Sequence, residues 1–238
     1  MATYFGQTVD VYEDFEDALV TWVETDLSGV LDPHSASAQY PGDSGSAGMA
    51  IDMTASHTAY IRYPVGFAST PVSIGFWFYT GAYGTWANGP FIAFLGDIAE
   101  LPDNLRVISI SRDAGATDNL DKIVIRGNAA PVNGPLIANS TWYWITAQAV
   151  RNGTCTVRVY DTSFAQVGAD VTCTGNDNAI NALTLGGAPG DPTATSIYFD
   201  EYVADWTDAT FPLLGWDSGI SGTSVPVKSN FYRRMRAV

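Results

Sequence analysis

The chain has 238 residues, of which 46% are hydrophobic, 13% aromatic and 15% charged. Its formal net charge of −14 argues against a nucleic-acid partner, because a phosphate backbone requires a basic face. It has no apolar run of the ~20 residues that a transmembrane helix needs, and residues 1–10 lack the basic and apolar regions of a signal peptide. We therefore expect a soluble protein with no membrane insertion and no export signal of its own.

Short segments with strand-like patterns recur between Gly, Pro, Asn and Asp turns along the chain. In chain order they are TVDVYEDF, AGMAIDM, TAYIRYPV, VSIGFWFYTG, FIAFLG, LRVISISR, DKIVIRG, WYWITAQAV, TCTVRVYD, QVGADVTCT, ALTLGG and SIYFDEYVADW. The segment VSIGFWFYTG is apolar on both faces and is expected to be a central strand, whereas KIVIRG and TVRVYD alternate as half-exposed strands do. Because no segment has sustained helical periodicity, the sequence predicts an all-β protein, a two-sheet antiparallel β-sandwich of the jelly-roll type.

One domain is expected over residues 1–217, followed by a C-terminal extension over residues 218–238 that is rich in Gly and Ser and then basic. All 25 acidic residues lie in the body, which has 7 basic residues and a net charge near −18. The extension has no acid and a charge of +4, from Lys228, Arg233, Arg234 and Arg236. Two interpretations remain open: a solvated end of the chain, or an arm that docks on an acidic neighbour such as another copy of the body.

The two cysteines, Cys155 and Cys173, lie on two alternating segments that are expected to form one hairpin. Pairing Val157 with Val171 places the cysteines opposite one another on the inner face. A cross-strand disulfide is one reading. Two buried thiols are the favoured one for a chain without a signal peptide.

Four segments in this order resemble the concanavalin A-like lectin/glucanase superfamily, in particular its laminin-G-like branch. VSIGFWFYTG is similar to the strand of that branch in which a hydroxyl residue precedes a Phe-Trp core, and LIANSTWYWITAQAVRNGTCTVRVYD is similar to its Asn-x-Trp-Tyr strand and hairpin. INALTLGG is similar to its Leu-x-Leu-Gly-Gly strand, and SIYFDEYVADW to its closing strand. The resemblance covers about residues 9–211 and implies a fold that hosts enzymes, lectins and structural modules alike.

Catalysis is not expected from the acidic residues. Glucanases of this superfamily carry Glu-x-Asp-x-Glu on one strand, which aims the carboxylates at one glycosidic bond. Here Asp14 and Glu16 share a face without a third acid, and strand alternation places Asp200 and Glu201 on opposite faces. A pair of acids drawn from different strands stays open as an alternative, that of a glycoside hydrolase.

Nucleophilic catalysis is not expected either. The two histidines, His34 and His57, lie beside Ser and Thr in loop-like or strand-end segments. No Gly-x-Ser-x-Gly elbow, phosphate-binding loop or dinucleotide fingerprint is present in the sequence. We therefore predict a protein that is not an enzyme.

The acids near the two ends of the body have a second reading. In several jelly-roll carbohydrate-binding modules, an early Phe-Glu segment and a late acidic strand lie side by side and can hold a structural calcium ion. Asp14, Glu16 and Asp200 resemble those positions, and calcium takes oxygen ligands of this kind. The other reading is an exposed strand face that discourages aggregation. We expect Asp200 to face a polar or metal-filled seam and Glu201 to face out.

The loop TGAYGTWANGP is the sequence candidate for a ligand site. Tyr83 and Trp86 lie among Gly and Asn88, and sugars stack on aromatic rings while amides and carboxylates bind their hydroxyls. The polar, irregular stretches 127–135 and 187–195 could frame such a site. Alternatively, Trp86 folds back to cap the sandwich. The tryptophans Trp77, Trp142 and Trp144 lie in strands and are expected in the core or between the sheets.

Proteins of the resembled fold usually act outside cells, yet this chain has no recognisable export signal, and a virion component released by lysis reconciles the two. We therefore favour a non-enzymatic structural protein of a phage or virus, a capsid decoration protein or tail appendage. Its lectin-like sandwich would face outward from the virion, and its basic C-terminal arm would anchor it to other virion proteins or to itself as a homo-oligomer. It would reach the extracellular space after host lysis and attach to host surface glycans. The alternative is a carbohydrate-binding module of a secreted protein.

Overall fold

A computed structural model describes residues 2–4, 7–16, 22–26, 31–40, 47–52, 59–65, 71–80, 91–96, 106–117, 120–187, 196–209 and 211–213. Within these residues the chain forms 17 strands and one 3₁₀ turn, η1. Their bounds are β1 Ala2–Tyr4, β2 Gln7–Val9, β3 Val11–Glu13, β4 Val23–Asp26, β5 Leu31–Ser35, η1 Ala36–Ala38, β6 Gly48–Asp52, β7 Ala59–Pro64, β8 Val72–Thr80, β9 Phe91–Gly96, β10 Arg106–Thr117, β11 Leu120–Arg126, β12 Val132–Ala138, β13 Trp142–Ala149, β14 Thr154–Tyr160, β15 Val171–Thr174, β16 Ala182–Gly187 and β17 Ser196–Asp205.

Two large antiparallel sheets make up the body. One has seven strands in the order β12-β11-β10-β9-β16-β7-β4, and the other runs β15-β14-β13-β8-β17-β6-β5, with β3 also pairing with β17. A separate pair is formed by β1 and β2. The predicted two-sheet β-sandwich is confirmed. In the part of the chain that the structure describes, no helix is long and apolar enough to span a membrane.

The core between the sheets follows from strand alternation. On β8, Phe76 and Phe78 are buried in this core, whereas Trp77 belongs to a second cluster on the opposite face. The facing sheet contributes aliphatic side chains such as Ile108 and Leu185. As its apolar pattern predicts, β8 is a central strand, and residues 72–78 are all buried.

The predicted cysteine hairpin is formed by β14 and β15. Cys155 is paired directly with Cys173, and Val157 with Val171, in the predicted register. The structure holds both cysteines as thiols, of which Cys155 is buried and Cys173 is partly exposed.

Four strands were not predicted from the sequence, and one of them is β1, which pairs with β2. Strands β4 and β5 lie at the ends of the two sheets, where a few residues with weak alternation suffice to pair along one edge. Strand β12 overlaps the stretch 127–135, so the expectation that this stretch is irregular throughout is wrong. Its Gly and Pro residues are tolerated because β12 is the terminal strand of its sheet.

Candidate functional site

The outer face of the eight-stranded sheet carries a second hydrophobic cluster, built from aromatic side chains. It includes Trp77 and Trp144, both fully buried, with ring centroids 5.5 Å apart. Both tryptophans are buried, as predicted, but they lie outside the sandwich interior and not between the sheets. Alternation requires this position, because Phe76, Phe78 and Ile145 occupy the inner face of the same strands.

Three segments cover this cluster. Tyr40, which follows η1, stacks on Trp77 with ring centroids 3.8 Å apart and planes at 14°. Phe164, in the turn between β14 and β15, packs edge-on against Trp77 at 5.4 Å. After β17 the chain crosses the same face, where Trp144 Nε1 donates a 2.7 Å hydrogen bond to the carbonyl oxygen of Leu213. The outer face is therefore largely closed by the protein's own chain.

Asp200 lies beneath the segment that carries Tyr40. Its Oδ2 accepts a 2.7 Å hydrogen bond from the backbone N–H of Tyr40, and its Oδ1 accepts one of 2.9 Å from the N–H of Glu201. The prediction that Asp200 faces a polar seam is confirmed. The seam is a contact between β17 and the segment that carries Tyr40.

The prediction that Glu201 faces solvent is wrong, because its side chain is only 1% exposed. A β-bulge explains the difference. Asp200 pairs with Trp77 and Val203 with Gly75, so β17 has one residue more than β8 over this stretch. Glu201 adopts a φ of 44°, in the left-handed region, and this breaks the alternation on which the prediction relied.

The predicted metal ligands do not come together as a site. Strands β3 and β17 do lie side by side, as the sequence analysis expected, with Tyr202 opposite Glu13. Among the residues that the structure describes, however, no group of three or more His, Cys, Asp or Glu side chains is placed to hold a metal ion. Glu16 Oε1 accepts a 2.8 Å hydrogen bond from the N–H of Ala47, and Asp14 Oδ1 accepts one of 3.3 Å from that of Glu16. Both carboxylates thus order backbone that lies just after β3 or just before β6.

A row of aromatic side chains crosses the outer face at one end of the sheet. Tyr198 on β17 is paired with Tyr79 on β8, which is paired in turn with Trp142 on β13. The two tyrosine rings stack at 5.3 Å with planes at 11°, and Tyr79 and Trp142 lie 5.3 Å apart with planes at 46°. Trp142 is 8% exposed, and both tyrosines are half-buried.

The same row continues across two further strands with small and polar side chains. Tyr198 is paired with Ala50 on β6, and Ala50 with Asp32 on β5. Since one face of the Tyr198 ring is against Tyr79, its other face is on the Ala50 side, where the neighbouring strand contributes only a methyl group. Asp32, on the far side of Ala50, is exposed. Its backbone lies two strand spacings, roughly 9–10 Å, from the backbone of Tyr198. We call the space above Ala50, between Tyr198 and Asp32, the Ala50 slot.

The Ala50 slot lies at the end of the sandwich where β8 finishes and β17 begins, since Thr80 is opposite Ile197. The predicted ligand residues Tyr83, Trp86 and Asn88 follow β8 in sequence and lie outside the described residues, as does most of the stretch 187–195. The predicted docking residues lie outside them as well, namely Lys228, Arg233, Arg234 and Arg236.

The turn after β11 does not frame this site. The N–H of Asn128 donates a 2.9 Å hydrogen bond to the carbonyl oxygen of Thr174. Thr174 is at the end of the sheet where Ala149 is paired with Val72, opposite the end that holds Trp142 and Tyr79. The prediction of irregular structure is confirmed for residues 127–131, which precede β12.

The members of the aromatic row were not predicted as site residues, because each of them lies within a strand. The signal was present in the alternation: Tyr79 and Tyr198 have the parity opposite to the core residues Phe78 and Phe199. An aromatic residue on the non-core parity of a strand is a candidate for a surface site. Parity does not reveal that Tyr79, Tyr198 and Ala50 share one row, because that depends on strand order.

No protein-family model and no curated protein sequence matches the chain. Solved structures do match. The chain is similar to a carbohydrate esterase of the Shiga toxin-encoding bacteriophage phi24B (TM-score 0.55, 12% identity, covering 83% of this chain and 97% of that one). It is also similar to the exoplasmic/lumenal domain of VIP36 in its Ca²⁺-bound form (TM-score 0.54, 11% identity, 79% and 84% covered) and to lectin I-B4 of Griffonia simplicifolia (TM-score 0.52, 12% identity, 82% and 98% covered). The chain thus shares the β-sandwich fold of these proteins, which is the fold that the sequence motifs predicted.

Proposed function

We propose that the protein is a non-enzymatic carbohydrate-binding module that holds a sugar ring in the Ala50 slot. The observation that carries this proposal is the row itself, in which the ring of Tyr198, the methyl group of Ala50 and the exposed carboxylate of Asp32 follow one another on adjacent strands. The fold supports it, since VIP36 and lectin I-B4 share this fold and the latter is by name a lectin.

The chemistry of the row suits a pyranose. One face of a sugar ring presents C–H groups that pack on an aromatic ring, and its hydroxyls need polar partners. Tyr198 offers the ring face. Asp32 offers carboxylate oxygens, which accept the stronger, charge-assisted hydrogen bonds from hydroxyls.

Binding without turnover is proposed because the buried aspartates of β17 serve the backbone. Asp200 accepts hydrogen bonds from the N–H groups of Tyr40 and Glu201. Asp205 Oδ1 accepts them from the N–H groups of Thr207 and Asp208, at 3.1 Å and 3.2 Å. A glycosidase acid pair must instead flank a substrate bond that water can reach.

The test is saturable binding of a panel of neutral and acidic pyranosides and short oligosaccharides to the full chain, measured by isothermal titration calorimetry. We expect Tyr198→Ala to weaken binding at least about tenfold, which corresponds to about 1.4 kcal/mol. We expect Ala50→Leu to abolish binding, because the larger side chain fills the slot while pointing away from the sandwich core.

Thr172→Leu is the matched control, since Thr172 is exposed on the outward parity of β15 at the far edge of the same sheet. It adds the same kind of side chain without touching the slot. Melting temperatures of all variants show whether the fold is kept. Absence of saturable binding across the panel, or equal binding by Ala50→Leu and the wild type, would overturn the proposal.

A virion role is the second candidate, and the charge distribution favours it. A body near −18 and an extension of +4, from Lys228, Arg233, Arg234 and Arg236, suit docking of the arm of one copy on the body of another. The similarity in fold to a bacteriophage carbohydrate esterase also supports a phage context, and hence a location on virions and an extracellular site of action. Light scattering of the full chain beside a version ending at Asp217 tests it: assembly of the full chain alone supports the arm, and two monomers contradict self-docking.

A further inference from the structure

The β14–β15 hairpin holds a pair of thiols at directly opposite positions. We propose that Cys155 and Cys173 are an oxidative modification site, at which exchange with a small-molecule disulfide such as oxidised glutathione forms a reversible cross-strand disulfide. This inference does not depend on the proposed function.

The backbone geometry fits such a bond. Directly opposite residues of an antiparallel pair have Cα atoms about 4.5–5.5 Å apart. Disulfide-bonded cysteines have Cα separations of about 4.4–6.8 Å. The register on either side of the pair is regular, with Thr154 opposite Thr174 and Thr156 opposite Thr172, so the bond needs no shift of the strands.

Two glycines leave room for the sulfur atoms. A Cβ added at Gly175 would lie 2.9 Å from Cys155 Sγ, and one added at Gly127 would lie 3.1 Å from Cys173 Sγ. Larger side chains at these positions would push the sulfurs out of place. The same Cβ atoms would come closer still to the carbonyl oxygens of Thr174 and Val150, so the glycines let the surrounding backbone lie close to both sulfurs.

The two thiols have different environments. A hydrogen bond from Cys173 lowers the pKa of Cys155, against the effect of burial, and the N–H of Val150 adds a 3.2 Å hydrogen bond to Cys155 Sγ. The same hydrogen bond and burial raise the pKa of Cys173. Cys173 is the partly exposed member, whereas Cys155 is buried. Cys173 is therefore the sulfur that an external disulfide reaches, and Cys155 is the one that forms the thiolate more readily.

The exchange proceeds in two balanced steps. Cys173 first gives up its proton to water, and its thiolate attacks one sulfur of oxidised glutathione, which breaks that S–S bond and releases one glutathione thiolate that takes up a proton from water. The Cys155 thiolate then attacks the Cys173 sulfur of the mixed disulfide and releases the second glutathione, to which the Cys155 proton passes. Both cysteines are oxidised by two electrons in total, and one glutathione disulfide is reduced to two thiols.

The bond would fix the segment that covers the tryptophans of the outer face. The chain between the cysteines includes the turn with Phe164, which packs against Trp77 and lies 6.5 Å from Trp144 by ring centroids. Closing this segment restricts the unfolded chain, so the oxidised protein should unfold at a higher temperature than the reduced one.

The experiment equilibrates the native full chain in glutathione buffers from fully reduced to fully oxidised. Alkylation of free thiols followed by mass spectrometry then counts disulfides and separates intramolecular bonds from glutathione adducts. We expect an intramolecular Cys155–Cys173 bond, a higher melting temperature, and reversal of both by dithiothreitol.

The comparison needs no variant, because the wild type is its own control in the two redox states. Cys173→Ser supplies a second control, which should show the same melting temperature in both buffers. Stable glutathione adducts without the internal bond, a bond that forms only in denaturant, or a bond that leaves the melting temperature unchanged would each overturn the proposal.

Discussion

Removing the carboxylate of Asp200 tests how the outer face of the sheet is closed. Asp200 is fully buried, and its two oxygens accept hydrogen bonds from the backbone N–H groups of Tyr40 and Glu201. We expect Asp200→Ala to destabilise the fold and to loosen the segment that carries Tyr40, whose ring stacks on Trp77.

The magnitude follows from the groups that lose their partner. Each buried N–H left without an acceptor costs about 1–3 kcal/mol. The variant also no longer has to bury a charged carboxylate, and this gain offsets part of the loss. A net loss of about 2–4 kcal/mol in the free energy of unfolding is therefore expected. Asp200→Asn keeps one carbonyl oxygen and should fall between the wild type and Asp200→Ala.

Urea unfolding followed by tryptophan fluorescence measures the change, because Trp77 and Trp144 lie beneath the covering segments. Asp208→Ala is the control, since Asp208 is an exposed acid shortly after the same strand. A loss for Asp200→Ala within the ~0.5 kcal/mol typical of surface changes would refute the reasoning. It would mean that the Tyr40 segment is held without the carboxylate.

Two further predictions concern single contacts. Gly48→Ala should lower the free energy of unfolding by about 1–3 kcal/mol, because the added Cβ would clash with the carbonyl oxygen of Ala38 and lie 2.7 Å from that of Phe199. An unchanged free energy in denaturant unfolding would contradict the close approach of η1 to β6. The side chain of Ser163 donates a 2.7 Å hydrogen bond to Asp161 Oδ1 and so lowers the pKa of Asp161 in the folded protein. The ionised carboxylate therefore stabilises the fold above its pKa in the unfolded chain, about 3.9, and this stabilisation is lost as the pH falls through the pKa in the folded protein. Asp161→Asn should therefore reduce the drop in melting temperature between pH 7 and pH 3, and an unchanged drop would count against this contact.

Alternation within single strands determined much of the fold before any tertiary contact is considered. The core parity of β8, the register that places Cys155 opposite Cys173, and the superfamily motifs all depend on neighbours close in sequence. These features are local, because side chains on a strand alternate with a period of two and turn residues mark where a strand stops.

The tertiary structure decided what alternation cannot. The bulge at Glu201 reverses the expected exposure of its side chain, since an extra residue in one strand is invisible without the partner strand. Trp77 is buried on the outer face because the side chains of Tyr40 and Phe164, which are distant in sequence, pack on its ring. The row from Tyr198 across Ala50 to Asp32 exists only through the order β17-β6-β5, which long-range pairing sets and local pattern does not.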